Sequence, residues 1–172
     1  MQFDLFNAPK IKLPKIKLEE LFKAYFVCRS NKRNTTNAIA FEVDYGNNLM
    51  QLFNDINDGT YRIGRSIAFI VNHPVKREIF AADFRDRIVH HWLIAELNPL
   101  FEKEFINDSY SCRVGIGTHY GIKRVDSFIK YASKKYTQDY YVLKLDILCY
   151  FMRINRNILF GKLQLFIKTK NI

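Results

Sequence analysis

Asp146 is the residue whose setting most clearly asks for chemistry. It stands in the stretch YVLKLDILCYFM, Tyr141 to Met152, flanked by Val142, Leu143, Leu145, Ile147, Leu148, Tyr150 and Phe151. So continuous an apolar run reads as a strand buried on both faces. A lone carboxylate there costs several kcal/mol unless something pairs with it. One partner that fits is a divalent ion. Mg²⁺ accepts one or two carboxylates together with phosphate oxygens and water, and a backbone carbonyl beside the Asp adds a further ligand. The other reading is a buried Asp that accepts backbone N–H groups or pairs with a lysine such as Lys144.

A second set of charges lies in HPVKREIFAADFRDRIVHH, residues 73–91. Lys76 and Arg77 follow a turn, and on a strand they point to opposite faces. Arg85, Asp86 and Arg87 follow at the start of a helix. Cations over a helix start can hold a triphosphate, and a solvated turn with surface ion pairs is the plainer account. His90 and His91 are adjacent, face different sides of a helix and cannot chelate one metal, so they read as structural. The turn GIGTH, Gly115 to His119, lets a nucleic-acid backbone approach closely before a helix. No G-x-G-x-x-G follows a strand within a βαβ unit and no Walker A string occurs, which argues against a dinucleotide fold or a P-loop.

Several elements must position these groups. Leu18, Leu21, Phe22, Tyr25 and Phe26 recur at helical spacing, predicting a helix to about Ser30. Thr36 or Asn37 can cap the next helix, whose face is Ala38, Phe41, Tyr45, Leu49, Leu52, Phe53 and Ile56, with Gly59 ending it. Ile67, Phe69 and Val71 alternate, Asn72-His73-Pro74 makes a turn, and Val75, Arg77 and Ile79 alternate again. The pattern predicts a β-hairpin from about Arg65 to Ala81. Asp83 caps a helix with a buried face of Ile88, Val89, Trp92 and Leu93, which Pro99 breaks or restarts. Thr118 caps a long helix to about Tyr136, with Lys123, Arg124, Lys130, Lys134 and Lys135 on its exposed face. The Asp146 strand and a last helix capped by Asn155 follow. The fold class is α+β, mostly helical. Its regions are a basic N-terminal arm (1–17), a middle region (18–138) and the Asp146 strand with its helix (139–172).

The 172 residues are 48% hydrophobic and carry a net charge of +10. That excludes a disordered chain and allows one domain with a core. The charge is uneven. Residues 1–37 hold eight Lys/Arg against three acids, residues 38–113 eight against eleven, and residues 114–172 eleven against three. Two basic ends around a near-neutral middle suit a nucleic-acid partner, since phosphates release counterions on contact. Apolar runs are too short to span a membrane, no secretory h-region is visible, and the three cysteines lie far apart without a CxxC, so a cytoplasmic location and no membrane partner are expected.

The blocks HPVKREIFAADFRDRIVHHWLIAELNPLFEKEFINDSYSCRVGIGTHYGIKRVDSFIK and YVLKLDILCYFMRIN, in this order, resemble the N-terminal half of bacterial reverse transcriptases. These are the group II intron, retron and diversity-generating retroelement type, and the last is the most similar. The resemblance runs from about Leu21 to Leu163. It implies the fingers of a right-hand polymerase with a β-hairpin, plus the first strand of the palm. Arg77 matches the fingers arginine that holds the incoming dNTP, with Lys76 as its neighbour. Arg113 matches the arginine of the SYxxR segment near the template–nucleotide pair, and Phe151 the steric gate against a ribose 2′-hydroxyl. Asp146, with the Ile147 carbonyl beside it, matches the first catalytic carboxylate, a ligand of two Mg²⁺ (or Mn²⁺) ions in the complete enzyme. The implied partners are an RNA template and a DNA or RNA primer. The string Y-x-D-D, which brings the other carboxylates in that family, does not occur, and neither does a thumb. An incomplete, inactive polymerase is therefore expected, self-associating through its interrupted palm. The alternative is a non-catalytic RNA-binding module derived from a retroelement.

Overall fold

A computed structural model describes residues 15–30, 35–74 and 76–169. Most of the basic arm, residues 1–14, and Val75 of the hairpin alternation lie outside the described residues. The chain divides into two compact units at Ile106/Asn107, inside the stretch 18–138 that the sequence groups together.

The first unit contains helices α1 (Leu18–Ser30), α2 (Thr36–Glu42), α3 (Tyr45–Asn57) and α4 (Phe84–Phe101), with strands β1 (Ile67–Val71) and β2 (Arg77–Ala81) between α3 and α4. Its core takes Leu21, Ala24, Tyr25 and Cys28 from α1, Ala38 and Phe41 from α2, Leu49 and Leu52 from α3, and Phe84, Ile88, Val89 and Trp92 from α4. These are the 3.6-residue stripes of the sequence, brought onto one centre. Tyr25, Phe41 and Phe84 meet edge-on or tilted, with ring centroids 5.5–6.3 Å apart, a geometry aromatic quadrupoles favour.

Three boundaries differ from expectation. The helix predicted from Thr36 to Gly59 is two helices, because the backbone leaves helical geometry at Asp44 (φ −138°, ψ 52°). The Asn48 side-chain amide bridges this break by donating to the Phe41 carbonyl at 2.9 Å. The first helix is preceded by Thr35, not capped by Thr36 or Asn37. Helix α4 runs through Pro99 to Phe101. Proline here falls in the last turn, where it forgoes one helical hydrogen bond, that to the Ala95 carbonyl. Gly59 does end α3, with φ +70°, a left-handed conformation that glycine adopts without steric cost.

The hairpin forms as predicted. The strands are antiparallel, with Ile67 opposite Ala81, Phe69 opposite Ile79 and Val71 opposite Arg77. Both of its faces are largely open to solvent, including Phe69, Ile70 and Phe80.

The second unit holds α5 (Thr118–Ala132), α6 (Tyr150–Arg153) and α7 (Arg156–Thr169). Gly117, not Thr118, occupies the cap position of α5. The helix stops at Ala132, four residues short of Tyr136. Lys134, Lys135 and Tyr136 all take positive φ, and the buried Ser133 hydroxyl donates to the Ile129 carbonyl and accepts the Tyr136 N–H.

The buried strand expected around Asp146 is not formed. Residues 139–147 have no regular element, and Leu143, Leu145 and Ile147 are 82%, 80% and 66% exposed. A strand acquires its structure from hydrogen bonds to a neighbour, and the second unit has no strand among its described residues. The α+β class therefore rests on the helices and the one two-stranded sheet. No described helix is long and apolar enough to cross a membrane.

Candidate nucleotide and nucleic-acid interface

In the first unit, Arg77 opens β2 and Lys76 precedes it, both exposed to solvent, and neither side chain has an ion pair among the described residues. What aims the hairpin is the F-R-D-R segment at the start of α4. Asp83 caps the helix as predicted, its carboxylate accepting the Arg85 N–H at 3.0 Å. Asp86 is only 1% exposed. It accepts the Tyr61 hydroxyl at 2.6 Å and the Gly64 N–H at 2.9 Å. Burial and the adjacent Asp86 carboxylate push the Tyr61 phenol well above its ordinary range, so the tyrosine stays a donor. Gly64 leaves the carboxylate room: a Cβ there would sit 3.3 Å from Asp86 Oδ2.

The two flanking arginines bond residues that precede the helix. Arg85 pairs with Asp55, donates to the Arg62 carbonyl and lies over the Tyr61 ring, 5.0 Å from its centroid. Arg87 donates to the Ala82 carbonyl at 2.9 Å. The charges of F-R-D-R thus fasten the segment before and after the hairpin to the helical core. Asp83, Arg85 and Asp86 are committed to structure, Arg87 makes one such bond while its Nη1 is buried without a partner, and Lys76 and Arg77, like Arg65 at the other end of the hairpin, are exposed. His91 stays neutral over a wider pH range than a free imidazole, since burial and its neighbour His90 lower its pKa, in keeping with a structural role.

In the second unit, the SYSCR segment is fastened to α5. Asp108 accepts two hydrogen bonds from the Arg124 guanidinium, at 2.9 and 3.2 Å, and one from the Tyr110 hydroxyl at 2.5 Å. Arg124 and then Tyr110 hold the Asp108 carboxyl below the usual carboxylate range, and Arg124 is held protonated in return. The Arg124 guanidinium also lies 4.6 Å from the Phe128 ring centroid. The Tyr110 ring covers Gly121 so closely that a Cβ there would fall 2.9 Å from a ring carbon. Arg113 donates to the Ser109 carbonyl at 3.0 Å. Beside these residues a hollow of about 480 Å³ is lined by Tyr110, Ser111, Thr118, Gly121, Ile122 and Val125.

The five cations predicted on the α5 face separate into two groups. Arg124 belongs to the Asp108 network, and Lys130 pairs with Asp126 at 2.6 Å one turn away. Lys123, Lys134 and Lys135 are exposed and carry no ion pair among the described residues. Asp146 is exposed rather than buried, and its carboxylate accepts the N–H of Ile147 at 2.9 Å. Phe151, on α6, is 85% exposed and packs edge-on against Tyr150.

Asp146 and the Ile147 carbonyl, the predicted metal ligands, are adjacent, and no group of three or more His, Cys, Asp or Glu side chains that could hold a metal ion gathers among the described residues. One carboxylate and one carbonyl supply part of the donor set of a Mg²⁺ ion, which phosphate oxygens, water and a further carboxylate complete. The sequence reading places a buried carboxylate at Asp146; the buried carboxylate among the described residues is Asp86, which it does not single out. Its signal is its place in the first turn of α4, three residues before the buried Val89, on the side that faces the core.

Compared with known protein families and with curated proteins, the chain matches none of them.

Proposed function

We propose that the chain is the fingers and the beginning of the palm of an RNA-directed DNA polymerase of the bacterial retroelement type. It binds an RNA template with its primer and presents Lys76 and Arg77 to the phosphates of a dNTP. The observation that carries this reading is the exposed hairpin whose two unpaired cations follow its turn, joined directly to a helix start where Asp83, Arg85 and Asp86 are engaged in holding it. Phosphate recognition needs cations that are exposed, positioned and not already neutralised, and Lys76 and Arg77 satisfy each condition. The hollow beside Tyr110 and Gly121 has the apolar walls and hydroxyl groups that suit a base or sugar, near the segment that carries Arg113.

A second reading, an RNA-binding module without polymerase chemistry, is favoured by the exposed Lys123, Lys134 and Lys135, since phosphate contacts need no catalytic carboxylate. The discriminating experiment measures dNTP binding to the chain in the presence of an RNA–DNA template–primer, alongside primer extension. The polymerase-fingers reading expects dNTP binding that Arg77→Ala weakens about tenfold, the loss of one charge-assisted contact, and no extension by these 172 residues. Template–primer binding without any dNTP binding would leave only the RNA-binding module.

A further inference from the structure

The second unit has almost no interior. Among its described residues only Gly121 and Ser133 are buried, while Tyr141, Val142, Leu143, Leu145, Ile147 and Leu148 are all more than 60% exposed. Residues 139–148 make no backbone–backbone hydrogen bond among the described residues. A stretch so apolar, with no backbone group spent on another backbone and only the Ile147 N–H held by a side chain, is a template for pairing with another strand.

The order of residues says which strand fits. Reversed about Leu145, YVLKLDILC is complementary to itself. In an antiparallel pair of two copies with Leu145 opposite Leu145, Lys144 of each faces Asp146 of the other. Leu143 then meets Ile147, Val142 meets Leu148, and Tyr141 meets Cys149. The period of two places Tyr141, Leu143, Leu145, Ile147 and Cys149 on one face, wholly apolar. The other face holds the two Lys–Asp pairs between Val142 and Leu148. Shifting the register by two residues brings Lys144 opposite Lys144 or Asp146 opposite Asp146, and like charges directly opposite are destabilising.

We propose that residues 141–149 are a self-complementary docking strand: two copies of this chain pair antiparallel through it, with Leu145 on the two-fold axis and two reciprocal Lys144–Asp146 pairs fixing the register. A two-fold interface of this kind closes on itself, so it yields a dimer and not an open fibre. The inference does not rest on the polymerase reading.

The test uses the full chain. Sedimentation should give a dimer, and either Lys144→Asp or Asp146→Lys alone should weaken association about tenfold by setting like charges opposite each other. The double exchange Lys144→Asp/Asp146→Lys restores the opposite-charge pairing and should restore the dimer. Because charge exchange alone could act through solubility, cross-linking supplies a geometric readout. With Cys112→Ser and Cys149→Ser as background, Leu145→Cys should form a disulfide between copies, since opposed residues lie within disulfide reach. Leu143→Cys should not cross-link to itself but should cross-link to a chain carrying Ile147→Cys. A monomer at high concentration would mean that this segment is covered by a different partner, and would overturn the proposal. So would cross-linking without preference for position, or single exchanges that the double exchange does not rescue.

Discussion

At the scale of single residues, the carboxylates that matter are the ones with several donors around them. Asp86 holds a tyrosine hydroxyl and a glycine N–H in the interior of the first unit. Asp86→Ala orphans both and should destabilise that unit by about 3 kcal/mol, while Tyr61→Phe, which removes one donor, should cost about 1 kcal/mol. Denaturant unfolding of the two variants checks the ranking. Asp108 is depressed below the ordinary carboxylate pKa by Arg124 and Tyr110. Its contribution to stability is therefore fully present above the unfolded-state value near 4 and is lost as pH falls through the lower folded-state value. Asp108→Asn should flatten the stability of the second unit in that acidic window, read by proteolysis or hydrogen exchange of residues 107–132 against pH. Gly121→Ala pushes a methyl into the Tyr110 ring and should destabilise the same segment by roughly 1–3 kcal/mol, visible as faster cleavage there.

At the scale of elements, the periodic ones were readable and the dependent ones were not. Helix α1 and the hairpin follow from stripes of residues spaced by 3.6 and by 2, signals that each element carries within itself. The Asp83 cap is equally local. The break between α2 and α3 is not: it lies at Asp44, where Tyr45 stacks on Tyr25 from another helix, with centroids 5.5 Å apart, a contact that no local pattern reports. The run around Asp146 has the composition of a buried strand but lacks a neighbour to pair with among the described residues of its unit, and composition does not report whether a neighbour exists. The same holds for the site. The exposure of Lys76 and Arg77 was legible because they follow a turn, their role as phosphate ligands rests on the resemblance, and the engagement of Arg124, Lys130 and Arg85 depends on acids elsewhere in the sequence or along the helix. The hairpin predicts its own test. Phe69 and Ile79 face each other in it with both sides open to solvent, so Phe69→Thr should change global stability by less than about 1 kcal/mol. Denaturant unfolding measures it, and a larger loss would mean that the hairpin is packed against something in solution.

At the scale of the whole molecule, the distribution of charge connects fold to function. The structural ion pairs consume Arg29, Arg85, Arg124 and Lys130, while Arg65, Lys76 and Arg77 in the first unit and Lys123, Lys134 and Lys135 in the second are exposed without an ion pair among the described residues. Nucleic-acid binding through phosphate contacts has a quantitative signature: the logarithm of affinity falls linearly with the logarithm of salt, by about 0.9 for each duplex phosphate neutralised. The most direct measurement is the affinity of the 172-residue chain for an RNA–DNA template–primer duplex over a salt series, for the wild type and for Lys123→Ala/Lys134→Ala/Lys135→Ala. The account predicts binding at low salt that weakens steeply as salt rises. It also predicts a shallower slope in the triple variant, by about one unit for each lysine that contacts a phosphate. Binding absent at low salt, or binding whose salt dependence is the same in the variant, would contradict it.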